Sequence, residues 1–214
     1  MRYFTTSDTH FGHSKIIEYA NRPFKDCTQM NNAMIRNWNE RVKDEDTVFF
    51  IGDFVFKSGV ACEKADYWIK QLNGNIIFIR GNHDNNNSLK TIIDCVHITY
   101  ANRRINLVHK PEHANPLFDI NLVGHVHGAW TIRTFKEHYD IIDGLNSNYK
   151  ISDRHDLQNF LNTNRSNRNS KSLLFNVGVD VHKYRPISLD EVLGYIQKYK
   201  RKEYEKFSPA IMPK

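Results

Sequence analysis

The sequence begins with an apolar stretch that runs into an acid and two histidines, Arg2-Tyr3-Phe4-Thr5-Thr6-Ser7-Asp8-Thr9-His10-Phe11-Gly12-His13. Its aromatic and β-branched residues predict a short buried strand. In an extended chain, side chains two residues apart point to the same side, so we expect Asp8 and His10 to converge at the carboxyl end of this strand. A carboxylate and an imidazole placed together suit a divalent cation such as Mn, Fe, Ni or Zn.

Further apolar runs along the chain end in the same kind of polar residue. Residues 47–51 precede Gly52-Asp53, 76–79 precede Arg80-Gly81-Asn82-His83-Asp84, 105–108 precede His109, and 120–123 precede Gly124-His125-Val126-His127. Glycine beside a strand end lets the backbone approach a ligand closely. Because open α/β sheets place their sites at the carboxyl ends of strands, we expect these side chains to meet in one site.

The order of these blocks, D-x-H, G-D, G-N-H-D, H and G-H-x-H, resembles the calcineurin-like metallophosphoesterases from Arg2 to about Leu189. The resemblance implies an α/β fold in which two β-sheets form a sandwich flanked by helices, in four layers. For a chain of 214 residues we expect one domain, residues 1–214. Because residues 130–172 exceed what a compact member needs, we expect an insertion there.

The resemblance also implies a centre of two divalent metal ions. Its ligands would form two sets that share one bridging carboxylate: Asp8, His10, Asp53 and His127 for the first ion, and Asp53, Asn82, His109 and His125 for the second. Manganese is the metal that we expect, with iron, nickel, zinc and magnesium as alternatives.

The same resemblance assigns catalytic roles to the G-N-H-D block. His83 would protonate the leaving oxygen or steady the scissile phosphate, and Asp84 would orient a neighbouring imidazole. Two further residues are candidates for contacts with substrate phosphate. His13 follows the first block and has a structural role under the loop as its alternative, while Arg154 lies in the Asn- and Arg-rich insertion, which would be a substrate-facing flap or a surface loop.

We therefore predict a metal-dependent phosphoesterase that cleaves a phosphodiester or phosphomonoester bond with a hydroxide generated between two metals. The formal net charge of +6 favours a nucleotide or a nucleic-acid fragment as substrate. Protein serine/threonine phosphatases of this superfamily carry Asp-Arg where this chain has Phe56-Lys57, which argues against a phosphoprotein substrate. The alternatives are a nucleotide monoester phosphatase and a non-catalytic scaffold that binds protein.

Other features of the sequence favour an intracellular protein. No run approaches the ~20 apolar residues of a membrane span, and no signal peptide precedes the first strand. We expect a cytoplasmic protein with no membrane contact and no obligate protein partner. The three cysteines lack the spacing of a disulfide framework, so we expect reduced thiols.

The helices that would cover the sheets have recognisable patterns. Apolar residues recur every four positions in a helix predicted over residues 28–42, and they would form its buried stripe: Met30, Met34, Trp38 and Val42. A second helix is predicted over residues 61–72. Ser188 and Glu191 have the spacing of a capping box at the start of a further helix.

Overall fold

The structure is a computed structural model that describes residues 1–56, 63–84, 88–137 and 171–207, with side chains up to residue 202. The first half of the chain forms β1 (Tyr3–Thr6), α1 (Ile16–Tyr19), α2 (Cys27–Asn39), β2 (Thr47–Ile51), α3 (Ala65–Ile69) and β3 (Asn75–Ile79). The second half forms β4 (Cys95–Tyr100), β5 (Arg103–Val108), β6 (Ile120–Val123), β7 (Ile132–Thr134), β8 (Leu173–Asn176), β9 (Ile187–Ser188) and α4 (Leu189–Phe207).

The first sheet has the strand order β3-β2-β1-β9. Strands β1, β2 and β3 are parallel, with Phe4 opposite Val48 and Val48 opposite Ile76, and β9 pairs antiparallel with β1. Parallel strands that start in register also end together. The segments that carry Asp8, Asp53 and Asn82 therefore leave this sheet at one edge.

The second sheet has the strand order β4-β5-β6-β8-β7. Its three central strands are parallel, with Leu107 opposite Leu122 and Leu122 opposite Phe175, while β4 and β7 pair antiparallel at the two edges. His109 follows β5, and His125 follows β6. The second sheet thus delivers its histidines at the carboxyl ends of its parallel strands.

The two sheets enclose an apolar core between them. Its fully buried side chains come from both sheets: Ile51, Ile79, Ile105, Leu107, Leu122 and Phe175. Helix α4 closes this core with Val192 and Ile196. Helices α2 and α3 cover the outer face of the first sheet. The predicted two-sheet sandwich flanked by helices is confirmed.

The predicted apolar stripe of α2 is confirmed, but the helix is shorter than the pattern suggested. Met30, Met34, Trp38 and Val42 are all buried. The helix nevertheless begins at Cys27, where the Asp26 side chain accepts a hydrogen bond from the Gln29 amide, and it ends at Asn39. Val42 therefore contributes to the core from the loop after the helix.

The other predicted helices also differ in their bounds. Helix α3 spans only Ala65–Ile69, and residues 61 and 62 of the predicted range lie outside the described residues. The capping box of α4 is confirmed, because Ser188 Oγ accepts from the Glu191 amide at 3.2 Å and Glu191 Oε2 accepts from the Ser188 amide at 2.9 Å. These bonds satisfy two amides that the first turn leaves without a helical partner.

The predicted insertion begins inside the second sheet. Ile132–Thr134 form β7, which pairs antiparallel with β8. Residues 138–170, and Arg154 with them, lie outside the described residues. The insertion, the flap hypothesis and the role of Arg154 stay predictions. Within the described residues, no helix combines the length and the apolar character that a membrane crossing requires.

Truncation of the α2 stripe should destabilise the fold. Met34 is 2% exposed, so Met34→Ala should lower the free energy of unfolding by ~2–5 kcal/mol through lost burial and a cavity. Arg36→Ala on the exposed face of α2 should change it by no more than ~0.5 kcal/mol. Urea unfolding followed by circular dichroism measures both variants, and equal midpoints would contradict the packing of α2.

Candidate metal centre

The predicted ligands are presented by a left-handed backbone. Five of them have positive φ angles: Asp8 at 59°, His10 at 50°, Asp53 at 59°, His125 at 70° and His127 at 45°. Left-handed backbone costs an L-residue roughly 1–2 kcal/mol, and it persists at functional sites where the surrounding structure enforces it. The strands therefore end before the ligands, which stand on tight turns.

This conformation corrects one step of the sequence prediction. Asp8 and His10 were expected to converge because both would belong to an extended strand. That reason is wrong, because β1 ends at Thr6 and both residues are left-handed. They converge because the chain turns around them: the Asp8 amide donates to Gly52 O, and the His10 amide donates to Asp53 O.

The first group of side chains that could hold an ion consists of Asp8, His10 and His127. Each offers one ligand atom, and these atoms lie within 4.8 Å of one another. The Asp8 carboxylate accepts hydrogen bonds from Ser7 Oγ at 2.6 Å and from the His125 amide at 3.0 Å. The first strand of one sheet is thereby tied to the loop after β6 of the other.

The second group consists of Asp53, His109 and His125, whose ligand atoms also lie within 4.8 Å of one another. Asn82 stands beside it, with Oδ1 at 3.0 Å from His109 Nε2. Asp53 Oδ2 lies 3.2 Å from His109 Nε2 and 3.7 Å from His10 Nε2. The structure therefore brings the seven predicted ligands together, and the Asp53 carboxylate of the second group faces His10 of the first.

His10 provides an independent test of whether these residues fit metal ions. Its two ring nitrogens are buried and have no hydrogen-bond partner among the described residues. Burial lowers the pKa of His10 well below its usual range, so the ring is neutral. A buried imidazole without a partner is costly, and coordination of an ion would satisfy one nitrogen. The donor set fits a divalent ion.

His109 carries a proton that a metal ion would replace. Its Nδ1 is 2.8 Å from Ile51 O, and its Nε2 faces the oxygens of Asn82 and Asp53. Burial alone would lower the pKa of His109, but the hydrogen bond to Asp53 and the charges of Asp8 and Asp53 raise it to about 9. Burial would likewise raise the pKa of Asp53, yet His109 holds it well below its usual range.

Two functional residues escaped the sequence prediction, Asp180 and Arg22. His127 Nδ1 lies 2.9 Å from Asp180 Oδ2, which leaves Nε2 as the ligand atom. Arg22 is buried and donates to Asp180 Oδ1 at 2.8 Å, and also to the carbonyl oxygens of Asp8 at 2.7 Å and Thr9 at 3.0 Å. This guanidinium holds the first ligand loop and the carboxylate that orients His127.

The sequence contained a signal for one of these residues. Asp180 follows the apolar run of β8 as the other polar residues follow their strands, in Asn176-Val177-Gly178-Val179-Asp180. Arg22 lies in the loop between α1 and α2, where nothing in the local pattern distinguishes it from a surface arginine. Only the tertiary fold brings it to a carboxylate 158 positions away.

Asp84 accepts backbone hydrogen bonds beside the central carboxylate. Its predicted role, to orient a neighbouring imidazole, stays a prediction, and Asp180 contacts the imidazole of His127. The Asp84 carboxylate is buried and accepts hydrogen bonds from the amides of Gly81 at 2.7 Å, Asp53 at 2.8 Å and Phe54 at 3.3 Å. These bonds fasten the loop of the central carboxylate to the Gly81–Asp84 turn.

His83 and His13 occupy different positions around the site. The His83 side chain is 47% exposed, and its Nε2 lies 4.0 Å from Asp53 Oδ2. His13 is buried, and its ring stacks on Phe56 with centroids 3.6 Å apart. Burial lowers the pKa of His13 to about 4, so this ring is neutral. Substrate contact by His13 stays a prediction.

The close approach of Gly81 to Asp53 generates a prediction. A Cβ atom at Gly81 would lie 2.2 Å from Asp53 Oδ1, whereas one at Gly128 would have nothing within 4 Å. Gly81→Ala should displace the central carboxylate and weaken manganese binding by at least ~10–100-fold. Gly128→Ala is the control near the same site. Metal analysis after dialysis measures both variants, and equal manganese contents would contradict this geometry.

The protonated state of His109 generates a second prediction. With a pKa of about 9, His109 keeps its Nε2 proton at pH 7.5 in the metal-free protein. Manganese binding should release about one proton there, and affinity should rise with pH up to about 9. Calorimetry in two buffers of different ionisation enthalpy counts the protons. Zero release at pH 7.5 would show that His109 is neutral before the ion binds.

Comparison with known proteins agrees with this geometry. Residues 1–210 match the sequence model of the family described as calcineurin-like phosphoesterase. An uncharacterised protein of Methanocaldococcus jannaschii is 35% identical over 199 residues, which is 93% of each chain. The gene 66 protein of Mycobacterium phage L5 is 33% identical over 79 residues, 37% of this chain and 38% of that protein.

A solved structure supports the fold. A protein of unknown function from Aquifex aeolicus superposes with a TM-score of 0.60 at 21% identity, covering 91% of this chain and 98% of that one. The resemblance predicted from the sequence blocks is confirmed by the match over residues 1–210, and the two candidate metal groups fit it. The chain belongs to the calcineurin-like phosphoesterase family.

Proposed function

We propose that the protein is a metal-dependent phosphoesterase that hydrolyses a phosphodiester bond in a nucleotide or a nucleic-acid fragment. One observation carries this proposal: two three-residue ligand groups lie side by side, and the Asp53 carboxylate of the second lies 3.7 Å from His10 of the first. Family membership supports the same reaction class. A paired centre of this kind suits displacement at phosphorus, where both the attacking and the leaving oxygen need stabilisation.

The two groups would hold the two ions. Asp8, His10 and His127 would bind the first, His109, His125 and Asn82 the second, and Asp53 would contact both. Bound divalent ions would supply Lewis acidity that lowers the pKa of water and neutralises phosphate charge. Mixed imidazole and carboxylate donors suit Mn, Fe, Ni or Zn, and manganese is our expectation.

His83 is the proposed proton donor to the leaving oxygen. Its imidazole is half-exposed at the mouth of the site, where a substrate oxygen can come within hydrogen-bond reach. Its backbone amide donates to Asp53 Oδ1 at 2.9 Å. This bond fixes the His83 backbone to the central carboxylate, so the imidazole starts from a constant place beside the ligand groups.

The surroundings of the site support a nucleotide or nucleic-acid substrate over a phosphoprotein. The formal net charge of +6 attracts polyanions. After Asp53, the chain continues with the buried side chains of Phe54 and Val55 and with Phe56, whose ring stacks on His13. Phe56 and Lys57 stand where protein phosphatases of the superfamily carry an Asp-Arg pair. The half-buried ring of Phe56 would offer a base a stacking surface.

The first experiment compares a diester with a monoester. Protein stripped of metal and reloaded with Mn, Ni, Mg or Zn is assayed on bis-p-nitrophenyl phosphate and on p-nitrophenyl phosphate. We expect manganese to restore cleavage of the diester. Cleavage of the monoester alone would favour the alternative, a nucleotide monoester phosphatase. No cleavage of either compound with two ions bound would indicate a more demanding natural substrate, and failure to bind metal would favour the protein-binding scaffold.

A substitution tests the role of His83. His83→Ala should lower kcat by ~10²–10⁴-fold, as the loss of an acid–base group does, while manganese content stays at the wild-type value. His97→Ala is the control, because that ring packs against Phe118 at a centroid distance of 4.5 Å. Loss of metal from the His83→Ala protein would show that His83 is a ligand and would overturn its role as proton donor.

A further inference from the structure

A cavity of about 400 Å³ lies at the amino ends of the parallel strands of the second sheet. Its walls come from the start of β5, the segment before β6, the residue before β8 and the inner face of α4: Arg103, Arg104, Phe118, Ser172, Leu193 and Lys200. We call it the basic cavity. Its volume falls within the ~300–1,000 Å³ of small-molecule sites.

The basic cavity is separate from the metal centre. Strand β5 runs from Arg103 at the cavity to Val108, and the ligand His109 follows. At ~3.3 Å per residue, Arg104 and His109 are roughly 17 Å apart along the strand. The metal centre lies at the carboxyl ends of the parallel strands and the cavity at their amino ends. A small ligand in one cannot touch the other.

The charge around the basic cavity is strongly unbalanced. Four cationic side chains line it: Arg103, Arg104, Lys171 and Lys200. None of the four forms an ion pair within the part of the chain that the structure describes. The lining carboxylate, Asp119, already accepts the Arg104 backbone amide at 2.8 Å. Cations gathered around a concavity attract an anionic ligand.

Apart from Ser172 and Gln197, the remaining lining is apolar. Leu117 is 57% exposed at the cavity, and Phe118 and Leu193 are partly buried beside it. A ligand that matches both the cationic and the apolar parts of the lining carries negative charge at one end and a flat apolar group at the other. Guanidinium groups recognise phosphate through paired N–H donors, while apolar and aromatic side chains accept a base. Nucleoside phosphates have this combination of groups.

We propose that the basic cavity binds a nucleoside phosphate, either free or as part of a nucleic-acid strand. Arg103 and Arg104 contact the phosphates, Lys171 and Lys200 neutralise further charge, and the base lies against Leu117 and Phe118. Binding here needs no metal ion and no hydrolysis. It is therefore independent of the activity proposed above, and each can fail without the other.

Titration of the full-length, metal-free protein tests this site. The probes are a fluorescein-labelled single-stranded DNA dodecamer and a fluorescent N-methylanthraniloyl ADP, followed by anisotropy over a range of salt concentrations. Arg103→Ala/Arg104→Ala should weaken binding at least tenfold. For the dodecamer, it should also reduce the slope of log K against log salt by about 1.4, or ~0.7 for each lost phosphate contact. Tighter binding of the dodecamer would indicate a nucleic-acid strand as the ligand, and tighter binding of the nucleotide would indicate a free nucleoside phosphate.

Two further variants test whether the loss of binding is specific to the basic cavity. Lys64→Ala/Lys70→Ala removes the same charge beside and at the end of α3, on the other face of the molecule, and should bind as the wild type does. Lys200→Glu leaves β5 intact and should reproduce the loss. Equal weakening in the Arg103/Arg104 and Lys64/Lys70 variants would show that net charge alone explains the loss of binding. That result would overturn the proposed binding site. Absence of binding to the wild type at low salt would overturn it as well.

Discussion

The structure depends on holding one carboxylate, that of Asp53, in a fixed place between two clusters of imidazoles. Its Oδ1 accepts the His83 amide at 2.9 Å, and its own amide donates to Asp84 at 2.8 Å. Gly81 has no side chain, and a Cβ there would meet the Asp53 carboxylate. A buried carboxylate needs compensating partners, and here the partners are the groups that would share metal ions with it. The contacts that stabilise this carboxylate are thus the same ones that would hold metal ions.

Most of this centre could be predicted from the sequence because each ligand lies close to a recognisable strand along the chain. Each parallel strand is an apolar run, and a polar residue follows it within a few positions, so strand ends and ligands could be found together. The left-handed backbone at Asp8 and His10 could not be foreseen, since Asp and His only tolerate it better than other residues. Arg22 could not be found either, because its partner lies 158 positions away and only the fold joins them.

The two ends of the second sheet have different chemistry. Its carboxyl ends carry His109 and His125 beside buried carboxylates. Its amino ends carry Arg103 and Arg104, which form no ion pair with any residue that the structure describes, around an apolar floor. Parallel strands force this separation, because all of their carboxyl ends face one way. Under the two proposals made above, the carboxyl ends would carry the site of bond cleavage and the amino ends a distant site for a phosphate-bearing molecule.

Anomalous scattering would show whether Asp53 lies between two metal ions. Crystals grown with manganese would be measured at the manganese absorption edge. We expect two anomalous peaks about 3.5–4 Å apart, one on each side of the Asp53 carboxylate. A single peak beside His109 alone, or two peaks without Asp53 between them, would contradict it.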